Sequence, residues 1–291
     1  MKSFFNPEIQ KKIESNESDP VKIKNFLSDQ EIAELLDYRK NASQSMVDRE
    51  ESTKIPFEWE DDKIFANLKK KIEKIVGNFY VKDFSPHFIT TRFPLRLHAD
   101  TGKDPSDLIF KNIVVPLEIN YENETSKNNT SHTLIFKNKW YQQSALFTTK
   151  TNNNYDFILK DKNGIFVDII DIFDFKKKID KVNNELITYK KNKFEVNNKF
   201  KEYINTLSKT KRYNLRTDAH ILNQRNINKE IYEKYMTHQP YEDCRGLELD
   251  MAIGWETGSL LYWDRTRIHS SDNFIKNGVA SKTCIALFTS K

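Results

Sequence analysis

Cysteine, glycine and histidine are all scarce in this chain, and each scarcity closes off a kind of chemistry. Its 291 residues include 2 Cys, 7 Gly and 6 His. Cys244 and Cys284 stand in separate segments without metal-ligand spacing, which excludes a disulfide framework and a Cys-x-x-Cys zinc site. Two such thiols suit a reducing cytosol, so a cytoplasmic location is expected. No Gly-rich phosphate loop and no Ser-His-Asp order stands out, leaving nucleotide hydrolysis and triad chemistry without support. Long apolar runs are missing too: none could cross a bilayer, and the N-terminal MKSFFNPEIQKK carries no apolar signal core. No membrane partner is expected. Nor does one sign of charge dominate, since 47 basic residues face 42 acidic ones for a net +5, a balance that does not demand nucleic acid.

What is present describes a foldable, polar chain. Hydrophobic residues make up 37%, charged residues 31% and aromatics 12%, which points to a core of phenylalanine and tyrosine packed between strands. Residues 28 to 41 read as a helix, with Ser28 as cap, Glu31 at the capping-box position and Ile32, Leu35 and Leu36 as an apolar stripe. Residues 61 to 77 read likewise: Ile64, Leu68, Ile72, Ile75 and Val76 recur at helical spacing and Gly77 closes the run. From Phe79 the pattern turns to strands, over 79 to 83, 87 to 93, 95 to 98, 111 to 121 and 132 to 136. Pro116, inside the apolar run of the fourth, implies a bulge or a sheet edge. Further strands are expected over 247 to 255 and 259 to 263, joined by the turn Glu256-Thr257-Gly258. This succession suits a β-sandwich barrel.

Between the two groups of strands, residues 145 to 243 break the pattern. A lysine-rich helix is expected from Phe175 to about Leu207 and another over Asn228 to Met236, forming a helical insertion within a single domain. The lysine-rich helix is expected to pack on the barrel as a surface helix, although long insertions between barrel strands can also act as lids or substrate platforms.

The residues that carry chemistry lie in RFPLRLHADTG and in GSLLYWDRTRIHSSDNF. In an extended strand residues i and i+2 share a face, so His98 and Asp100 can reach one ion while Ala99 points away. A third ligand, His269, follows the apolar run Leu260 to Trp263, which reads as the strand carrying it inward. Two imidazoles and a carboxylate on one side of a metal leave the other positions open, the arrangement of a ferrous ion that binds an acid and dioxygen. Lys282, in the strand-like text before Thr283-Cys284-Ile285-Ala286-Leu287-Phe288, reads as an inward charge that needs a carboxylate partner. Lys276 and Arg267 are the alternatives. His132 could point inward, whereas His87, His220 and His238 lie beside loop or helix-end text and read as solvated.

On these residues the chain resembles the Fe(II)/2-oxoglutarate-dependent oxygenases, and within them the prolyl-hydroxylase-like branch, whose entry into the core is similar to VKIKNFLSDQEIAELLDYR at residues 21 to 39. The resemblance covers roughly residues 21 to 144 and 244 to 291. It implies a double-stranded β-helix of the jelly-roll or cupin-like kind with N-terminal support helices. It makes His98, Asp100 and His269 the catalytic iron ligands and Lys282 the cation for the distal carboxylate of 2-oxoglutarate, with O2 as co-reactant. Cys284 stands where many relatives have a hydroxyl residue, and Trp263 and Arg267 become possible site walls. The implied reaction is hydroxylation of a peptidyl residue or small molecule. Two other readings are a nucleic-acid-directed oxygenase using the basic insertion (Lys176 to Lys178, Lys190-Lys191, Lys209 to Arg216), with Tyr189, Phe194 and Tyr203 for stacking, and a non-catalytic barrel that binds without turnover.

Overall fold

The computed structural model describes residues 7–42, 47–48, 52–81, 86–101, 108–128, 130–139, 145–146, 158–160, 166–168, 189–190, 193–194, 226–244 and 246–291. In chain order these form α1 (Pro7–Glu14), β1 (Val21–Ile23), α2 (Asp29–Asn41), β2 (Val47–Asp48), β3 (Ser52–Pro56), α3 (Lys63–Val76), β4 (Tyr80–Val81), β5 (His87–Thr91), β6 (His98–Ala99), β7 (Ile109–Tyr121), β8 (His132–Lys139) and β9 (Ala145–Leu146). After them come β10 (Ile158–Lys160), β11 (Phe166–Asp168), β12 (Tyr189–Lys190), β13 (Lys193–Phe194), α4 (Lys229–Ile231), β14 (Leu249–Gly254), β15 (Leu260–Asp264), β16 (Arg267–Ser271) and β17 (Val279–Ser290).

Two antiparallel sheets make the body. The larger runs β1-β15-β7-β17-β5-β3-β2, with β4 also on β17, and the smaller runs β14-β8-β16-β6-β9. Strands β5, β6, β7, β8, β14, β15, β16 and β17 supply four neighbours to each sheet, and the chain crosses between sheets at most connections. That is the jelly-roll form of the double-stranded β-helix. Strands β8 and β14 are antiparallel neighbours although more than a hundred residues lie between them, and β9, from that intervening stretch, adds to the opposite edge of the same sheet beside β6.

The period of two along each strand sorts residues onto three packing surfaces. Phe88 of β5, Ile113, Val115 and Leu117 of β7, Leu260 of β15, and Ile285 and Leu287 of β17 face outward from the larger sheet onto the helices, where they meet Leu35, Phe65, Leu68 and Ile72. Ala99, Leu134, Phe136 and Ile268 leave the smaller sheet on its other side and pack with Ile227, Met236, Cys244 and Leu247. Ile135, Ile253, Leu261 and Trp263 fill the space between the sheets.

Local chemistry agrees with these placements. Ser28 accepts from Glu31 N while the Glu31 carboxylate accepts from Ser28 N, so α2 begins with the expected capping box. Asp62 caps α3, and Gly77 ends it at φ 82°, a conformation that favours glycine. Gly258, at φ 76°, donates to Pro116 O and accepts from Leu27 N; a Cβ there would lie 2.9 Å from Ile32 Cδ1. This turn therefore pins α2 to the sheet. Pro116 sits on an interior strand rather than at an edge, and the pairing of β7 with β17 skips Leu117 in a bulge.

Several expectations change. His269 is not carried by the Leu260 to Trp263 strand: the chain turns after Asp264 and β16 brings it into the opposite sheet. His87 is buried against Phe288, and His238 is half-buried, because segments distant in sequence cover them. His220 and most of the helix expected over 175 to 207 lie outside the described residues. Within that span β12 and β13 pair as an antiparallel hairpin, so those four residues are extended, not helical. The helix expected over 228 to 236 is present as α4 followed by a π-helical turn, Tyr232–Met236, with Asn228 as cap.

Candidate metal centre

Strand β6 is only two residues long, but it pairs with β16 so that His98 stands directly opposite His269. Asp100 follows on the same face as His98. One ligand atom from each of His98, Asp100 and His269 lies within 4.8 Å of the others. Asp100 Oδ2 is 3.0 Å from His269 Nε2 and 3.7 Å from His98 Nε2.

The other ring nitrogens fix the tautomers. His98 Nδ1 is 2.6 Å from the Arg96 carbonyl and His269 Nδ1 is 3.0 Å from the Arg267 carbonyl. A carbonyl only accepts, so each Nδ1 carries the proton and each Nε2 presents a lone pair to the gap. Two lone pairs and a carboxylate converging there require a proton or a cation between them. One divalent cation would meet all three at once, so the residues fit the iron that the resemblance implies.

Electrostatics support the same set. Burial lowers His98 from 6.5 to about 4, with repulsion from His269 adding to the effect. Burial pushes Asp100 up, but the two imidazoles and the Arg265 guanidinium outweigh it and hold the carboxyl well below its usual range. Arg265 is almost wholly enclosed: its Nε donates to Asp100 O at 2.6 Å and its Nη1 to Thr289 O at 3.0 Å. Asn112 Nδ2 donates to Asp100 Oδ2 at 3.3 Å. Trp263 stands edge-on to His269, ring centroids 5.1 Å apart.

The triad opens into a cavity of about 90 Å³ between the sheets, walled by Ile89, Val114, Trp263, Ala286 and Phe288 and also lined by Lys282. Lys282 Nζ donates to Ser131 Oγ at 2.9 Å and lies 4.2 Å from the centre of the Trp255 ring and 4.5 Å from that of Phe274. Burial lowers it from 10.5 to about 8, opposed by Asp272. Cys284 lines the same cavity, its thiol pushed up to about 12 by burial.

Among the sequence-selected residues, His98, Asp100, His269, Lys282 and Trp263 share this cavity. Neither alternative to Lys282 does. Arg267 pairs with Asp250, and Lys276 donates to Glu233 O on the surface. His132 points inward to Asp272. Sequence reasoning missed Arg265, Ser131 and Asp272, whose partners are far away in the chain. It also missed Asn112, although a buried-strand amide directly before the apolar run of β7 was a usable signal.

No protein-family profile matches the chain, and no curated protein matches it in sequence. Among solved structures, the crystal structure of SnoN, the non-heme alpha ketoglutarate dependent epimerase from nogalamycin biosynthesis, is similar with a TM-score of 0.42 and 10% identity, over 97% of this chain and 84% of that one. The complex of SnoN with Fe3+, alpha ketoglutarate and nogalamycin RO gives 0.41 and 9% over the same shares. A likeness of this degree says nothing by itself about chemistry, which has to rest on the side-chain geometry of this chain.

Proposed function

We propose that the protein is an Fe(II)- and 2-oxoglutarate-dependent dioxygenase that hydroxylates a small molecule or peptidyl residue. The observation that carries this reading is the convergence of His98 Nε2, His269 Nε2 and Asp100 Oδ2 on one point of a cavity that also holds a buried lysine. Iron with 2-oxoglutarate and O2 would supply the oxidising power, coupling decarboxylation of the cosubstrate to attack on a substrate C–H bond.

The chain's own residues have separate tasks. His98, Asp100 and His269 hold the metal from one side, and Arg265 and Asn112 orient Asp100. Lys282 attracts the distal carboxylate as a point charge rather than a planar fork. Trp263, Phe288 and the aliphatic wall exclude water and present an apolar surface to the substrate. Asp100 itself argues for hydroxylation over halogenation, because a halogenating site leaves that position without a ligand.

Anaerobic addition of Fe(II) and 2-oxoglutarate should produce a weak visible charge-transfer band, lost in His98→Ala. Its absence from metal-loaded wild type would reject the proposal. Labelled O2 then identifies the reaction: one labelled oxygen in the product means hydroxylation, whereas succinate release with unlabelled product would move the assignment to another oxidation of the same class.

A further inference from the structure

Lys282 is 1% exposed, and among the described residues no carboxylate is within ion-pair reach of its Nζ. An ammonium in that position should shed its proton unless some nearby charge offsets the loss of water. The nearest negative group is reached through one hydroxyl. Lys282 Nζ donates to Ser131 Oγ at 2.9 Å, Ser131 Oγ donates to Asp272 Oδ1 at 3.0 Å, and His132 Nδ1 lies 3.1 Å from Asp272 Oδ2. An ammonium only donates and a carboxylate only accepts, so the hydroxyl between them has one orientation. Backbone bonds clamp the relay, Asp272 N to His132 O at 3.0 Å and Trp255 N to Ser131 O at 2.7 Å. Asp272 and Ser131 are both fully enclosed.

We propose that Asp272, acting through Ser131, is the positioning group that keeps Lys282 charged and aimed for a ligand carboxylate. The inference rests on the reading of Lys282 as the cosubstrate's cation. Its logic lies in the separation. A carboxylate bound directly to Lys282 would compete with the ligand, while one placed a hydroxyl away offsets the charge and occupies a single N–H. The faces of Trp255 and Phe274 hold the ammonium without using a donor, so its remaining N–H groups stay available to an incoming acid.

The groups whose charges face Lys282 are Asp272 from the end of β16, Cys284 on its own strand and His238 from the 226–244 segment, with His132 behind Asp272. Of these only Asp272 and Cys284 favour the ammonium, and the Cys284 thiol is itself held protonated by burial. Removing the Asp272 charge therefore moves deprotonation of Lys282 to lower pH.

Isothermal titration of anaerobic Fe(II)-loaded protein with 2-oxoglutarate, near pH 6 and near pH 7.5, tests this. Asp272→Asn should bind about threefold more weakly than wild type near pH 7.5, the effect of about one pKa unit on the fraction charged, and should recover most of that loss near pH 6. Ser131→Ala should share the pattern, and Ser131→Thr, which keeps the hydroxyl, should restore affinity. The charge-transfer band at saturating 2-oxoglutarate should stay unchanged, because the chelating end of the cosubstrate does not meet the relay. Equal affinity of Asp272→Asn and wild type at both pH values would overturn the inference, as would an equal loss at both in Asp272→Asn and Ser131→Ala. Failure of wild type to bind 2-oxoglutarate at either pH would instead remove the cosubstrate reading.

Discussion

His98 and His269 are register partners across the β6–β16 pair, with ring centroids 4.1 Å apart, although 170 positions separate them in sequence. The pairing does more than bring them close. It makes one strand contact responsible for where the two imidazoles meet, and each imidazole is anchored by the carbonyl two residues before it in the sequence.

Acid should destabilise the metal-free protein through His98. Its folded value of about 4 lies below the ordinary 6.5, so between these limits the unfolded chain binds more protons than the folded one. The contribution is complete above about pH 6.5 and is lost as pH falls toward 4, a total of about 3 kcal/mol. His238, also lowered to about 4 by burial, acts in the same window. Urea midpoints measured across that range should fall, and His98→Gln should flatten part of the slope. A level profile would contradict a neutral, buried His98.

Lys282→Met should separate stability from function. Burial lowers the lysine to about 8, so its charge opposes folding at neutral pH and that cost fades as pH rises from 8 to 10.5. The substitution should stabilise the protein by up to about 3 kcal/mol at pH 7, less the lost Ser131 bond, while 2-oxoglutarate binding disappears. Thermal melts and titration calorimetry on one preparation check both halves; a lower melting temperature would show that the lysine is structural.

Arg265→Lys should weaken Fe(II) binding by about 10- to 100-fold. The arginine spans Asp100 O, Thr289 O and Ser290 Oγ, and the lysine ammonium cannot reproduce that fork. Competition with a chelator of known affinity measures the change. Unaltered affinity would mean that Asp100 is placed without Arg265.

Phe65→Ala tests the support layer apart from the site. Phe65 is fully buried, stacks on Phe57 with ring centroids 4.0 Å apart and meets Tyr38 edge-on at 4.6 Å. Loss of about 3 to 5 kcal/mol is expected, with Fe(II) affinity unchanged in the folded fraction. A matching fall in metal affinity would show that the helices shape the site.

Elements whose signals are local were legible in the chain. The capping box of Ser28 and Glu31, the apolar stripe and terminal Gly77 of α3, and the bulge at Pro116 each depend on residues a few positions apart. His98 and Asp100 belong to this group, since the two-residue period of a strand puts them on one face. Partners joined only by folding were not legible. Arg265 looks like one more charge in a turn until the last strand closes over it, and Ser131 and Asp272 carry no mark that they meet. His87 and His238 were misread for the same reason, because text beside a loop does not reveal what packs above it.

The linear order of side chains thus determined the alternating strands, the helix ends and the shared face of His98 and Asp100, all set by backbone geometry over a few residues. Which strand opposes which, and so where His269 and Lys282 come to rest, was decided only when the two sheets closed on a shared core. Burial between distant segments has no local signature, and it is burial that shifts His98 and Lys282 and gives the site its charge balance.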